Sequence, residues 1–210
     1  MPEEELGVKA DRKLVEEISK EIIASWGLKN GFPKRPVALL IGGFQGSGKT
    51  TVLSILKKRL DLIVISPDEA RDRLFTRKIL FNEIFVHTVN AIRNNLLKTA
   101  LSLKHNVAID QKATLARINI EKAIIRKEGK GEYKFFAVFL KASEKTLEQR
   151  LRTRKKLQGV YRGTVSELKA SVKKYGMQDL SFYDLVLDSE KMQPEEIVDK
   201  IGRKFNLFTN

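Results

Sequence analysis

The chain contains no cysteine and only two histidines among its 210 residues. Without cysteine, neither a disulfide framework nor a thiolate metal site can form. His87 and His105 show neither the spacing of metal ligands nor a useful acidic neighbour, so we assign them no role. No apolar run approaches the roughly 18 residues of a membrane span, and the first residues lack the basic and apolar regions of a signal peptide. We therefore expect a cytoplasmic protein with no membrane partner.

The composition, with 42% hydrophobic and 31% charged residues, is that of a globular domain. The net charge is +14, and its excess lies from Pro36 onward, because residues 1–35 hold seven basic and seven acidic residues. Residues 141–176 alone carry eleven lysines and arginines against three glutamates. This asymmetry indicates a polyanionic partner, with RNA or DNA as the obvious candidates. A composition selected for heat stability, or the positive charge that a triphosphate site requires, would explain it equally well.

The most specific motif lies between an apolar run, Val37–Ile41, and a stretch with helical periodicity. The intervening sequence, Gly43-Phe-Gln-Gly-Ser-Gly-Lys-Thr50, matches every fixed position of G-x-x-x-x-G-K-[ST]. A strand, a glycine-rich loop and a helix in this order are the context that a phosphate-binding loop (P-loop) needs. The alternative, a plain glycine turn between strand and helix, does not require the lysine and threonine. The sequence therefore predicts a nucleoside triphosphate site.

The chemistry of that site follows from its residue types. The three loop glycines let backbone N–H groups turn toward a triphosphate, and the positive end of the next helix faces the same anion. Lys49 is expected to reach the β- and γ-phosphates, and the Thr50 hydroxyl to ligate Mg²⁺. ATP and Mg²⁺ are thus the expected cofactors. The predicted nucleotide-binding residues are Gly43, Phe44, Gln45, Gly46, Ser47, Gly48, Lys49, Thr50 and Thr51.

Strand and helix patterns alternate through the rest of the chain. We predict strands at 37–42, 62–66, 106–110, 134–140 and 184–187, separated by helices at 49–60, 67–75, 80–103, 116–127, 143–154, 164–175 and 194–205. Wholly apolar strands separated by helices predict a three-layer α/β fold, a five-stranded parallel sheet flanked by helices. Residues 1–35 are predicted to form an N-terminal helix and linker, and residues 36–210 the nucleotide-binding domain.

Charged side chains follow the second and third predicted strands, at the sheet edge where open α/β folds bind ligands. Asp68 could accept or orient the proton of an attacking hydroxyl, and Arg71 could hold a substrate phosphate. Asp110 could complete the Mg²⁺ shell through water. Local structure offers a second interpretation. Residues 66–69 fit a capping box, which leaves Asp68 and Arg71 unexplained, and Asp110 fits a surface aspartate that closes a strand.

A basic segment follows the fourth predicted strand. Arg150 and Arg154 are four residues apart and therefore share one face of the predicted helix. This spacing suits two guanidinium groups that close over a transferring phosphoryl group, and the glycines that follow suit a hinged lid at about residues 150–163. A solvated basic helix is the alternative, which we prefer for Arg152, Lys155 and Lys156.

Taken in order, the loop, Pro67-Asp-Glu-Ala-Arg71, Asp110 and the paired arginines resemble the P-loop kinases that include polynucleotide 5′-hydroxyl kinases and zeta toxins. The resemblance spans roughly residues 36–187. Residues 40–51 are similar to the zeta-toxin loop, which implies phosphorylation of a UDP-amino sugar. Residues 66–71 and 142–154 are similar to the polynucleotide kinase branch. This similarity implies that Asp68 acts on a 5′-hydroxyl, that Arg71 holds a 3′-phosphate, and that the paired arginines belong to the lid.

We therefore predict an ATP-dependent kinase with Lys49, Asp68, Arg150 and Arg154 as catalytic residues. Asp68 and Arg71 are the predicted acceptor-binding residues, and Thr50 and Asp110 the metal ligands. The favoured acceptor is the 5′-hydroxyl of RNA or DNA. A small-molecule kinase acting on a UDP-amino sugar or nucleoside, and a P-loop ATPase or switch without an acceptor, are the alternatives. Where family members often continue the third strand as Asp-x-Thr-Asn, this chain has Asp110-Gln-Lys-Ala-Thr114.

Overall fold

The computed structural model describes residues 10–27, 33, 35–79, 83–111, 114–154, 163–175 and 180–208. Five strands form a single sheet in the order β2-β3-β1-β4-β5, and every neighbouring pair is parallel. This confirms the predicted parallel α/β sheet. The strands are β1 Val37–Gly42, β2 Leu62–Ile65, β3 Asn106–Gln111, β4 Lys134–Lys141 and β5 Leu185–Asp188.

Helices connect the strands and cover both faces of the sheet. Within the described residues they are α1 Arg12–Ala24, α2 Lys49–Leu60, α3 Pro67–Thr76, α4 Glu83–Ser102, α5 Leu115–Glu128, α6 Glu144–Thr153, α7 Val165–Tyr175 and α8 Pro194–Phe205. These bounds confirm the predicted helices to within a residue or two, except that residues 80–82 of the predicted 80–103 helix and residues 155–162 of the predicted lid lie outside the described residues. Across the described ranges, no helix combines the length and apolarity that crossing a membrane requires.

The helix starts follow local capping chemistry. The Ser66 hydroxyl accepts a hydrogen bond from the Asp68 N–H at 3.3 Å, and Pro67 occupies the first helical position of α3. Ahead of α7, the Thr164 N–H donates to Glu167 Oε2 at 2.7 Å while the Glu167 N–H donates to Thr164 Oγ1 at 3.2 Å. This reciprocal pair is a capping box.

The phosphate-binding loop follows the central strand, β1, and therefore lies in the middle of the edge formed by the carboxyl ends of the strands. All six residues of β1 are buried, because the strand has a neighbour on each side and helices on both faces. Its register places Ile41 beside Asp110 of β3 and Gly42 beside Phe139 of β4. The loop that follows Gly42 therefore begins next to the carboxyl end of β3.

The two faces of the sheet hold separate apolar clusters. One contains α4 with residues of β2 and β3, and includes Ile18 and Ile22 of α1, which are fully buried. The other packs α2 and α8 against β1 and β4. Helix α1 is also tied to α3 by an ion pair at 2.5 Å between Glu21 and Arg77, the residue that directly follows α3. This contact lies on the face that α4 covers. Thus α1 shares a core with the sheet.

Candidate active site

The loop after β1 takes the backbone conformation that its glycines permit. Gly43 has a φ of +146°, and a Cβ at this position would lie 2.8 Å from the Leu140 carbonyl oxygen and 2.5 Å from Ser47 Oγ. Gly48, at the N-cap of α2, has a left-handed φ of 90°. Residues with side chains would clash at the first position and be strained at the second. The loop therefore leads directly into the N-terminus of α2, where unpaired backbone N–H groups attract anions.

Lys49, the first residue of α2, lies against this loop. Its Nζ donates hydrogen bonds to the carbonyl oxygens of Gly43 at 2.9 Å and Phe44 at 3.2 Å. The same Nζ is 4.0 Å from Asp110 Oδ1. The loop thus holds the ammonium group at the N-terminus of α2, near the carboxyl end of β3. Thr50, the next residue, is exposed.

Asp110 lies at the carboxyl end of β3 and is 9% exposed. Burial raises the pKa of its carboxyl above the ordinary value of 3.8, while the nearby Lys49 opposes the rise. The Ser66 hydroxyl donates to Asp110 Oδ2 at 3.4 Å, so the residue that caps α3 also contacts this carboxyl. Asp110 is therefore a buried acid beside the P-loop lysine, not the surface aspartate of the alternative interpretation.

Asp68 and Arg71 lie in the first turn of α3 and pair with each other. Arg71 NH1 donates to Asp68 Oδ1 at 2.5 Å, and the two side chains are 31% and 46% exposed respectively. An ion pair three residues apart on a helix also has a purely local stabilising value of a few tenths of a kcal/mol. Both side chains nevertheless line the same cleft as the phosphate-binding loop.

Arg150 and Arg154 both line the cleft. Helix α6 ends at Thr153, one residue earlier than predicted, and Arg154 is its C-cap residue with φ −67° and ψ 125°. Arg150 therefore lies within the helix and Arg154 directly follows its last residue. Arg150 NH2 donates to the Ser189 carbonyl oxygen at 2.6 Å, and NH1 donates to Gly46 O at 3.3 Å and to Ser189 Oγ at 3.2 Å. Arg150 thus joins the loop to the segment that follows β5.

One cleft of about 760 Å³ brings these side chains together. Its walls contain most of the predicted site residues, namely Gln45, Gly46, Ser47, Gly48, Lys49, Thr50, Thr51, Asp68, Arg71, Asp110, Arg150 and Arg154. Gly43 and Phe44 are not among the lining residues. Gly43 is instead packed beneath the loop, and the Phe44 ring lies 6.5 Å from the Phe139 ring in an edge-to-face arrangement.

The cleft also contains residues that the sequence did not single out. On one side of the loop, Asn90 of α4 and Gln111 of β3 join Asp68 and Arg71. On the other side, Ser189 and Glu190 follow β5 directly, and Tyr175 ends α7. The strand-end rule that identified Asp110 would also have found Ser189 and Glu190. No local pattern distinguishes Asn90 in the middle of a helix.

Glu190 ties the segment after β5 to the start of α6. Its Oε1 accepts hydrogen bonds from the Ser143 hydroxyl at 2.5 Å and the Ser143 N–H at 2.7 Å. These bonds, together with one from Thr146, hold the pKa of the Glu190 carboxyl at about 2. Glu190 is therefore anionic at neutral pH, and it helps to fix the wall that carries Arg150.

Metal-binding chemistry at the site rests on oxygen atoms. Within the described ranges, no group of three or more His, Cys, Asp or Glu side chains is placed to hold a metal ion. The exposed Thr50 hydroxyl and the Asp110 carboxylate are nevertheless the kind of hard oxygen ligands that Mg²⁺ takes when nucleotide phosphates and water supply the remaining ligands. These residues therefore fit a nucleotide-bound Mg²⁺.

Part of the basic surplus of residues 141–176 is neutralised within the fold. Glu148 pairs with Arg152 at 3.4 Å and with Lys169 at 3.3 Å, which joins α6 to α7. Lys141 lies 3.8 Å from Asp188. Of these two acids, Glu148 is already included in the charge count of residues 141–176, so the pairing lowers the counted surplus by the one charge that Asp188 offsets.

Comparison with solved structures finds the same fold in small kinases. A gluconokinase from Sinorhizobium meliloti 1021 superposes with a TM-score of 0.55 at 18% identity, covering 83% of this chain and 94% of that one. A sugar kinase from Janibacter sp. HTCC2649 gives 0.58 at 14% identity, covering 83% and 99%. A shikimate kinase from Bacteroides thetaiotaomicron gives 0.53 at 18% identity, covering 81% and 98%.

No curated protein sequence matches the chain. A sequence model described as AAA domain matches residues 39–175, which begin in β1 and end with α7. The match covers more than half of the chain and includes the phosphate-binding loop, Asp68, Asp110 and the arginines of α6. The protein therefore belongs to the AAA domain family, and its fold is that of the P-loop kinases.

Proposed function

We propose that the protein is a Mg²⁺- and ATP-dependent kinase that phosphorylates a hydroxyl group of a small molecule. The observation that carries this proposal is the position of Asp68 and Arg71 in the same cleft as Lys49 and the loop amides. A nucleotide switch needs no acid and no arginine facing its phosphates from a second element. Solved structures with this fold include a gluconokinase, a sugar kinase and a shikimate kinase, whose names denote small acceptors.

The donor side of the site binds ATP. The loop amides and the N-terminus of α2 surround the phosphates, and Lys49 moves from the loop carbonyls to the β- and γ-oxygens when the nucleotide enters. Thr50 and Asp110 would hold a nucleotide-bound Mg²⁺, which would neutralise phosphate charge. Arg150 and the segment after β5 close the other side of this half of the cleft.

The acceptor side provides the proton chemistry. Asp68 accepts a hydrogen bond from the attacking hydroxyl and takes its proton as the new O–P bond forms. Arg71, which contacts Asp68 at 2.5 Å, lies where it can orient the acceptor. Because catalysis of this kind rests on positioning and electrostatics, a single misplaced group costs a large factor in rate.

The structural neighbours favour a small acceptor over the 5′-hydroxyl of a nucleic acid. The contact of Lys141 with Asp188 also offsets one of the positive charges on which the nucleic-acid prediction rested. We therefore treat the polymer acceptor as the outcome that would contradict this proposal.

The test is transfer of radiolabelled phosphate from ATP to a panel of acceptors: gluconate, shikimate, a hexose, a nucleoside, a UDP-amino sugar and a 5′-hydroxyl oligonucleotide. We expect a small acceptor to be labelled, with little dependence on salt. Lys49→Ala should abolish transfer and greatly weaken ATP binding. Asp68→Asn should lower kcat by about 10²-fold or more and leave ATP binding intact.

Matched control variants distinguish the loss of these roles from a general loss of folding. Lys57→Ala alters an exposed lysine of α2, and Asp72→Asn alters an aspartate of α3, neither of which lines the cleft. Both should retain transfer. Labelling of the oligonucleotide alone would contradict the small acceptor, and full activity of Asp68→Asn would reduce Asp68 to a helix-start residue.

A further inference from the structure

A buried ion-pair network lies beneath the acceptor side of the cleft. Arg93 of α4 and Glu121 of α5 have fully buried side chains and pair at 2.6 Å. Arg117, one turn before Glu121, forms an ion pair with the same carboxylate oxygen, with its Nε 2.9 Å away. With its amide oxygen toward Arg117 and its nitrogen toward Glu121, Gln111 accepts from Arg117 Nε at 2.7 Å and donates to Glu121 Oε1 at 3.2 Å. The network thus connects α4, α5 and the end of β3.

Holding three elements together with buried charges costs desolvation free energy. Two guanidinium groups share one carboxylate, and Arg93 Nε, Arg117 NH2 and Glu121 Oε2 are buried without a hydrogen-bond partner among the described residues. Burial raises the pKa of Glu121 to about 7, while the Arg117 guanidinium opposes the rise. Apolar side chains of similar volume often stabilise such a site as well or better. Stability alone therefore does not account for the network.

The network has a direct relation to the cleft through two amide side chains. Gln111 belongs to the network and lines the cleft, and Asn90, one turn before Arg93 on α4, lines it as well. A side-chain amide has two N–H donors and an oxygen with two lone pairs. After its bonds to Arg117 and Glu121, Gln111 retains one donor and one lone pair. An amide that can both donate and accept a hydrogen bond can pair with a hydroxyl group, which also donates and accepts.

We propose that Asn90 and Gln111 bind hydroxyl groups of the acceptor next to the one that is phosphorylated, and that the Arg93–Glu121–Arg117 network positions Gln111 by direct contact and Asn90 through α4, which carries Arg93. This inference rests on the proposed kinase function and narrows its substrate class to polyhydroxylated compounds. Asn90 and Gln111 touch the acceptor, whereas Arg93, Glu121 and Arg117 act through them. Both amides line the cleft together with Asp68 and Arg71, so the expected effect is on the acceptor.

The direct test compares acceptors that differ by one hydroxyl. The acceptors used are those among gluconate, shikimate and the hexose that the wild type phosphorylates. For each of them, kcat/KM is measured for the parent compound and for its singly deoxygenated analogues. The wild type should prefer the parent by about 10²-fold or more for at least one analogue, because a buried amide would otherwise be left unpaired. Asn90→Ala and Gln111→Ala should raise the acceptor KM about tenfold and reduce that preference, with the KM for ATP unchanged. Asn95→Ala, on the same helix but outside the cleft lining, is the control.

The positioning role is tested by replacing the network with apolar side chains. The triple variant Arg93→Met, Arg117→Met, Glu121→Leu, which leaves no buried charge unpaired, should keep or raise the melting temperature and still raise the acceptor KM, with kcat less affected. A purely structural network would leave the acceptor KM within twofold. That result, or unchanged hydroxyl preference in both amide variants, would overturn this inference alone. A wild type that phosphorylates no small acceptor would overturn the proposed function and this inference with it.

Discussion

Replacing Asp110 by asparagine should make the protein more stable and less active near neutral pH. The substitution keeps the size and shape of the side chain and removes its charge. Asp110 is 9% exposed and lies 4.0 Å from Lys49 Nζ, with the Ser66 hydroxyl 3.4 Å from its other oxygen. Two effects of opposite sign therefore act on its carboxylate: loss of hydration by burial, and attraction to Lys49.

The size of the change follows from these two effects. At 4 Å the attraction between unit charges is about 4 kcal/mol for an effective dielectric constant of about 20. The penalty for taking an ion out of water in a real protein is several kcal/mol. Because burial is the larger influence on the pKa of Asp110, the penalty exceeds the attraction and the ionised form is a net cost to the folded state. We expect the asparagine variant to gain on the order of 1 kcal/mol, or about 2–4 °C in Tm.

The gain should depend on pH in a defined direction. The pKa of Asp110 is raised in the folded protein above the ordinary value of 3.8. The folded state therefore loses stability, relative to the unfolded chain, as the pH rises from that ordinary value through the folded pKa. Above both values the cost of the charge is fully present, and below both it is absent. The advantage of Asp110→Asn should thus be largest near neutral pH and vanish toward pH ~4.

Thermal unfolding of the two proteins, without nucleotide, over about pH 4 to 8 measures this effect, and phosphoryl transfer measures the loss of activity. Because Asp110 is a proposed Mg²⁺ ligand, its loss should lower kcat by about 10²-fold or more. Asp188→Asn is the matched control, since Asp188 also ends a parallel strand but does not line the cleft. It should change neither activity nor the pH dependence. A lower Tm for Asp110→Asn at neutral pH would show that Lys49 outweighs burial and would refute the reasoning.

Three further changes test other parts of the structure. Arg150→Ala removes three hydrogen bonds to the loop and to the segment after β5 and should raise the ATP dissociation constant about tenfold. Calorimetry measures this constant. An unchanged constant would mean that Arg150 does not contribute to ATP binding. Thr164→Ala should cost about 1 kcal/mol in urea unfolding because it removes the cap of α7, with exposed Ser166→Ala as control. Ile18→Ala should cost about 2–5 kcal/mol because this α1 residue is fully buried, and exposed Lys20→Ala should cost little if α1 packs as described.

The sequence was sufficient for the fold because strand and helix patterns reinforce one another along it. Each strand is an apolar run without the 3.6-residue period, and helices start at Ser66, Ser143 and Thr164, whose side chains cap them. The extent of α6 was the exception. Arginine continues a helix readily, so nothing local marks Arg154 as the residue where the backbone becomes extended.

The site was partly predictable for a topological reason. Parallel strands bring their carboxyl ends to one edge, so Asp68 and Asp110 could be placed beside the loop without knowing the strand order. The hydrogen-bond and ion-pair partners of each residue could not be predicted in this way. That Arg150 bonds to Ser189, 39 residues later, depends on how the β5 segment packs on α6. The Arg93–Glu121 pair likewise depends on the contact between α4 and α5.

The strand order also explains why the two halves of the reaction should respond separately to mutation. In the order β2-β3-β1-β4-β5, the chain places β2, α3, α4 and β3 on one side of the phosphate-binding loop. It then crosses to build β4, α6 and β5 on the other side. Asp68, Arg71, Asn90 and Gln111 come from the first group, and Arg150 from the second. Changes in the first group should therefore act on the acceptor and changes in the second on ATP, while the loop and Asp110, which lie between them, should affect both.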